Sequence, residues 1–172
     1  QPGLGGAGFG QLEAPDLQPG DQPALDLGGR PQPGNVAQHG AAVEPADHGL
    51  APIAAVHTPD YLHFLQTIHV RWSRIDGASA EVIPNIHPDR REASYPRSAV
   101  GQAGYHMADT ACPIGPDSWE SIYWSANCAA SAAALVRDDD ARAAYALCRP
   151  PGHHAFADLA GGFCFVNNAA VA

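Results

Sequence analysis

Two histidines stand side by side at positions 153 and 154, directly after Arg149-Pro150-Pro151-Gly152. Adjacent side chains on extended backbone point apart, so one core seldom accommodates both. In a loop stiffened by proline and glycine, two imidazoles can be held beside a pocket with different partners and so different proton affinities. A general base working with an electrostatic partner or general acid requires that arrangement. The competing reading is a polar surface loop. A second run, Gly161-Gly162-Phe163-Cys164-Phe165-Val166-Asn167-Asn168, follows closely.

Other candidate chemistries fare less well. His57, His63 and His69 are six residues apart, which turns neighbours by about 240° on a helix, whereas helix-borne metal ligands need i,i+3 or i,i+4 spacing. His87-Pro88-Asp89 reads as a surface-loop pair. Cys112, Cys128, Cys148 and Cys164 form no C-x-x-C pair, which argues against a zinc knuckle or redox dithiol. They read as free thiols, buried in the case of Cys148 and Cys164, and suit a reducing cytoplasm. No G-x-S-x-G elbow is present, and Cys164 has no evident activating base, so a Ser or Cys nucleophile is not supported.

The elements that must position the paired histidines follow from periodicity. Residues 1–42 carry Gly and Pro at a density that breaks regular structure, and are expected to be irregular, ahead of a domain over 43–172. Thr58 is placed to cap a helix with Pro59 at its first position and Asp60 in its first turn. Tyr61, Leu65, Ile68, Trp72 and Ile75 then recur at steps of four and three, one apolar face. Residues 76–116, with proline at 84, 88, 96, 113 and 116, are expected to be loop.

A second helix is expected from Asp117, with Glu120 completing a capping box. Its apolar face would be Trp119, Ile122, Tyr123, Ala126, Ala130 and Ala133. It ends before the acidic run 138–140, which would oppose the helix dipole. Ala143 to Cys148 predicts a strand buried on both faces, stopped by the Pro/Gly loop. Open α/β sheets present active-site groups at such strand ends. Asn167 or Asn168 can cap a third helix through Ala172. A single turn does not stabilise itself, which reads as truncation.

At 172 residues the chain suits one domain. No apolar run approaches the roughly 20 residues needed to span a bilayer, and no signal peptide is visible. All nine basic residues are arginine, which with abundant Ala, Gly and Pro points to GC-rich, bacterial coding. A net charge of −9 argues against nucleic-acid or anionic-membrane binding and is compatible with a cationic substrate.

The runs 149–154 and 161–170 together resemble the central signature of the histone deacetylase and acetylpolyamine amidohydrolase family, in its bacterial or class II-like form. Weaker similarity extends through Pro113-Ile114-Gly115-Pro116, Trp119-Glu120, His48-Gly49-Leu50 and His57-Thr58-Pro59-Asp60-Tyr61-Leu62. The resemblance implies a three-layer α/β fold of the arginase/deacetylase type, an open parallel sheet of which only the N-terminal part is present. It implies that His153 and His154 flank the water that attacks the substrate's acetamide. His154 would be general base and then acid, and His153 an electrostatic partner. Gly162 and Phe163 match the floor and one wall of the channel that holds the acyl-bearing alkyl chain, where an aromatic ring buries methylenes.

The same resemblance implies zinc in the full-length parent, held by an Asp-x-His pair and a later Asp. No Asp-x-His occurs in this sequence, so none of its residues is assigned to metal and no tight zinc binding is expected. In polyamine-specific relatives acidic residues recognise the cationic substrate. The matching stretch around Val100 and Ala111 is apolar here, with Asp109 nearby. The expectation is therefore a cytoplasmic amidohydrolase whose parent removes acetyl or acyl groups from acetylated lysine or polyamine. Homo-oligomers are left open, and the chain alone is expected to be inactive. The alternative is a naturally short noncatalytic binding protein that retains the channel loop.

Overall fold

Five helices form among the residues that this computed structural model describes, 41–90 and 94–172: α1 (Ala51–Val56), α2 (Pro59–Trp72), α3 (Ala99–His106), α4 (Ser118–Arg137) and α5 (Asn168–Val171). Residues 42–172 pack as one unit. The irregular segment expected over 1–42 lies outside the described residues except for its last two.

Helix α2 is the apolar centre. Pro59 opens it with its φ preset for a helix and no N–H to leave unsatisfied. Tyr61, Leu65, Ile68 and Trp72 are buried on the expected face, joined by Leu62 and Phe64. Ile75 falls past the end of the helix and is exposed. The Thr58 side chain makes no cap bond, and its backbone N–H instead donates to the carbonyl of Ala157 at 3.0 Å. The residue expected to start the helix therefore also anchors the histidine loop.

The stretch expected to be loop contains α3. Ser98 caps it, accepting the Gly101 N–H at 3.1 Å. Two glycines in eight residues give it poor intrinsic helicity, which is why its pattern is faint. Packing compensates, for α3 lies against α2. Gly104 lets the 86–88 segment cross α3 closely, since a Cβ there would fall 1.7 Å from the Ile86 carbonyl oxygen. Such helices owe their stability to tertiary contact rather than propensity.

Helix α4 begins and ends as expected but is built differently. Asp117 makes no side-chain cap bond, while the Ser118 hydroxyl accepts the Gly115 N–H at 2.8 Å. Its buried residues are Ile122, Ser125, Ala126, Asn127 and Ala129, so the inward face is rotated from the expected one and carries polar groups. Asn127 accepts the His48 N–H at 2.7 Å, and Ser131 accepts that of Ala46 at 2.9 Å. These bonds hold the incoming chain along α4.

The described residues contain isolated β-bridges but no longer strand: Val82 with Ile114, Met107 with Ala160, and Gly161 with Cys164. The strand expected over 143–148 does not form. Tyr145 and Leu147 are 86% and 83% exposed, the reverse of burial on both faces. A strand owes its stability to ladder bonds and cross-strand side chains, and no described segment forms a β-bridge with this one. The parallel bridge at Met107 and Ala160 does tie the end of α3 to the loop beyond the paired histidines.

Gly104→Ala is expected to destabilise the chain by about 1–3 kcal/mol, the usual cost of overpacking. A lower urea midpoint with an unchanged m-value checks this.

Candidate active site

The backbone from Pro150 to Asn168 runs without a sheet to satisfy it, and side chains from four helices supply the partners. His57, which closes α1, is buried and bridges two points of the loop. Its Nε2 accepts the Asn167 N–H at 3.0 Å, and its Nδ1 lies 3.2 Å from the Ala157 carbonyl oxygen. Only the neutral Nδ1–H tautomer satisfies both contacts. His106, at the end of α3, is the second bridge. Its Nδ1–H donates to the Asp158 carbonyl at 2.8 Å, and its Nε2 accepts the Tyr95 hydroxyl at 2.9 Å. Asp158 also pairs with Arg90, whose guanidinium lies 4.6 Å over the Tyr105 ring. From α2, the buried Tyr61 hydroxyl donates to the Phe165 carbonyl at 2.7 Å.

Asn168 closes the proline end of the loop. Its Nδ2 faces the carbonyls of Pro150 and Pro151 at 2.9 and 3.1 Å and the Ser125 hydroxyl of α4 at 3.0 Å. Ser125 in turn donates to Pro150 at 2.6 Å. Asn168 is thus a buried clamp and Asn167 alone is the cap of α5, accepting the Ala170 N–H at 3.1 Å. Gly152 donates its N–H to the Cys164 sulfur at 3.3 Å. Cys164 is buried, as expected, whereas Cys148 is only half-buried.

On this frame His153 and His154 come together with ring centroids 4.3 Å apart and planes at 61°. Both are exposed. Gly162 abuts the second of them, for a Cβ there would sit 2.8 Å from Cδ2 of His154. Its φ of 54° is a further reason for glycine. Phe163 follows, also with a positive φ of 66°, and its ring is 67% exposed. A non-glycine residue in that region is strained, a feature that clusters at functional sites. A groove of about 590 Å³ is lined by Tyr145, Leu147, Cys148, Arg149, Pro151 and Asn168 among others, and by none of these four residues.

Sequence reasoning missed the clamps. His106 and Ser125 carry no motif that marks them, His57 opens the weakly similar run 57–62 with no role attached to it, and Asn168 reads in sequence as a helix cap. Asp109, considered for substrate recognition, accepts two backbone N–H groups, those of Ala111 at 2.8 Å and Gly162 at 2.9 Å. Val100 is on α3 and Ala111 on the loop after it.

The sequence matches the profile described as the histone deacetylase domain over residues 31–172. The chain belongs to the histone deacetylase family. It is 53% identical over 130 residues to an acetylpolyamine amidohydrolase of Burkholderia pseudomallei, covering 75% of this chain and 37% of that protein. It is 42% identical over 136 residues to acetylpolyamine amidohydrolase 1 of Pseudomonas aeruginosa, covering 77% and 39%. A crystal structure of an acetylpolyamine aminohydrolase from Burkholderia pseudomallei superposes with a TM-score of 0.68 at 52% identity, over 74% of this chain and 36% of that one. The fold is thus the α/β fold of the deacetylase type. The chain spans less than two-fifths of the length of these relatives.

Histone deacetylase family membership implies zinc. Among the described residues no three His, Cys, Asp or Glu side chains are grouped to hold a metal ion. His57 and His106 have both ring nitrogens engaged by the protein. The described residues do not fit a zinc centre. No helix among them is long and apolar enough to cross a membrane.

Burial pushes the pKa of both His57 and His106 below the usual 6.5, against carbonyl partners that pull it up. The unfolded chain then takes up these protons before the folded one does, so stability is full above about pH 6.5 and falls as pH drops through the folded values. The thermal midpoint is expected to decrease on acidification from pH 7.5 to 5.5, and His57→Ala to flatten that dependence while lowering stability at pH 7.5. Asn168→Asp sets a carboxylate against two carbonyls and is expected to cost more than Asn168→Ala, itself about 1–3 kcal/mol. Denaturant titration of the two variants ranks them.

Proposed function

We propose that this chain carries the paired-histidine part of an amidohydrolase active site, and that the whole protein removes an acetyl or acyl group from an acetylated amine. Hydrolysis of an amide needs a base to take a proton from the attacking water and an acid to protonate the departing nitrogen. One imidazole can do both in turn. His154 is assigned that role and His153 the electrostatic support of the charge that develops beside it. The observation that carries the reading is the contact of the two rings at 4.3 Å, inside a match to the histone deacetylase family.

Gly162 and Phe163 supply the floor and wall of the channel for the alkyl chain. The names of the relatives favour an acetylated polyamine over acetylated lysine as the substrate class. Residues 43–172 form the first part of a deacetylase domain whose open parallel sheet is completed by further chain, which also brings the zinc ligands. A bacterial, cytoplasmic protein suits this chemistry. The 172 residues alone do not turn over substrate.

The test is to express residues 1–172 and the product of the continuous reading frame that contains them, and to assay both with N-acetylputrescine and an acetyl-lysine peptide in the presence of zinc. The longer product is expected to hydrolyse the acetylamine. His154→Ala should lower kcat by about 10²–10⁴-fold, the usual contribution of a general acid–base group, and His153→Ala by less. Turnover indifferent to His154→Ala overturns the assignment. Turnover by 1–172 alone overturns the division of the site. A reading frame that closes at Ala172, with cooperative unfolding and no turnover, supports a noncatalytic binding protein instead.

A further inference from the structure

Asp109 lies in the loop after α3 and uses both carboxylate oxygens on backbone. Oδ1 accepts the Ala111 N–H at 2.8 Å, an Asx turn that fixes its own side chain. Oδ2 accepts the Gly162 N–H at 2.9 Å from a residue 53 positions away. Gly162 sits at the tip of a tight turn closed by two hydrogen bonds between Gly161 and Cys164, each 3.0 Å. The back of that turn is pinned, because the Cys112 sulfur donates to the Cys164 carbonyl at 3.7 Å and Ala160 bridges to Met107. Its front is the Gly162 main chain, against which the His154 ring rests with no room for a Cβ.

We propose that Asp109 is the positioning residue for His154, acting through the Gly162 backbone, rather than a binding group for the substrate amine. This rests on His154 being the general base. The carboxylate draws the Gly162 amide toward the 109–111 loop and thereby sets where the glycine main chain meets the imidazole. Both oxygens are committed to N–H groups of fixed backbone, so the carboxylate is oriented by the fold before any ligand arrives. A charge-assisted bond to an N–H is shorter and stronger than a neutral one, so an amide side chain substitutes only in part. Burial and the nearby Asp109 charge also push the Cys112 thiol up to about 11, which keeps that neighbour neutral and inert.

Two measurements separate this from the functional reading beneath it. The first uses the 172-residue chain and two-dimensional NMR of the Gly162 amide and the histidine ring resonances. Asp109→Ala should shift the Gly162 amide proton upfield and move the His154 ring signals. His153 should move less, and Asp109→Asn should give an intermediate spectrum. Should Asp109→Ala fail to fold by circular dichroism, Gly162→Ala displaces the same ring from the other side and should move the same His154 signals. The second measures turnover of N-acetylputrescine by the longer product. Asp109→Ala should lower kcat by about 10–100-fold, the order of loss expected for a misplacement near 1 Å, with KM within about twofold and partial rescue by Asp109→Asn. Unchanged His154 resonances, or a rise in KM with kcat intact, overturns the proposal, the latter outcome making Asp109 an amine-binding group. Absence of turnover by the unsubstituted longer product defeats the functional reading, while the NMR coupling still decides the link between Asp109 and His154.

Discussion

A single neutral imidazole sets the shape of the loop that bears the paired histidines. His57 accepts one backbone N–H at Asn167 and faces one carbonyl at Ala157, ten residues apart along the loop. Both ends of that stretch are thereby fixed to the close of α1. An unpaired backbone group away from water costs about as much as a lost hydrogen bond, and here no ladder is present to provide partners. The ring therefore does for the loop what a neighbouring strand does for an edge. His106, Tyr61 and Asn168 repeat the device at other points, so the exposed His153–His154 pair rides on a scaffold of buried polar side chains.

This arrangement explains why α4 turns a polar stripe inward. A wholly apolar face along Ala126, Ala130 and Ala133 would pack well but remove the Ser125 hydroxyl, which donates to the Pro150 carbonyl and faces the Asn168 amide. Ser125 and Asn168 supply those donors together. The energetic trade is familiar: buried polar groups are tolerable when the network is filled. One atom is left over, since Asn168 Oδ1 is buried without a hydrogen-bond partner among the described residues.

Much of the site was legible because it lies in continuous sequence. Residues 149–154 and 161–168 form a dense local pattern, and α2 announced itself through the four-and-three recurrence from Tyr61 to Trp72. What escaped was set by contacts far apart in the chain. Helix α3 carries two glycines that lower its propensity, and only its packing on α2 and on Ile86 makes it regular. The capping box expected at Asp117 lacks its side-chain bond, and the neighbouring Ser118 hydroxyl instead takes the Gly115 N–H of the preceding turn. The segment 143–148 has the composition of a buried strand, yet composition cannot supply a neighbour to pair with. The six-residue spacing of His57, His63 and His69 bears only on a helix-borne metal site and says nothing of the use of His57 as a clamp.

The clamps also impose an order on how the site comes into being. Residues 57 and 167 are separated by 110 positions, 61 and 165 by 104, and 106 and 158 by 52. Such long closures carry an entropic cost that local helices do not. During synthesis α1 and α2 leave the ribosome with the His57 and Tyr61 side chains still lacking the partners they will bury. Those partners are translated more than 100 residues later. The loop that carries the paired histidines acquires its clamp at Pro150 and Pro151 only after Asn168 has emerged, so its backbone is held by partners made both long before it and just after it.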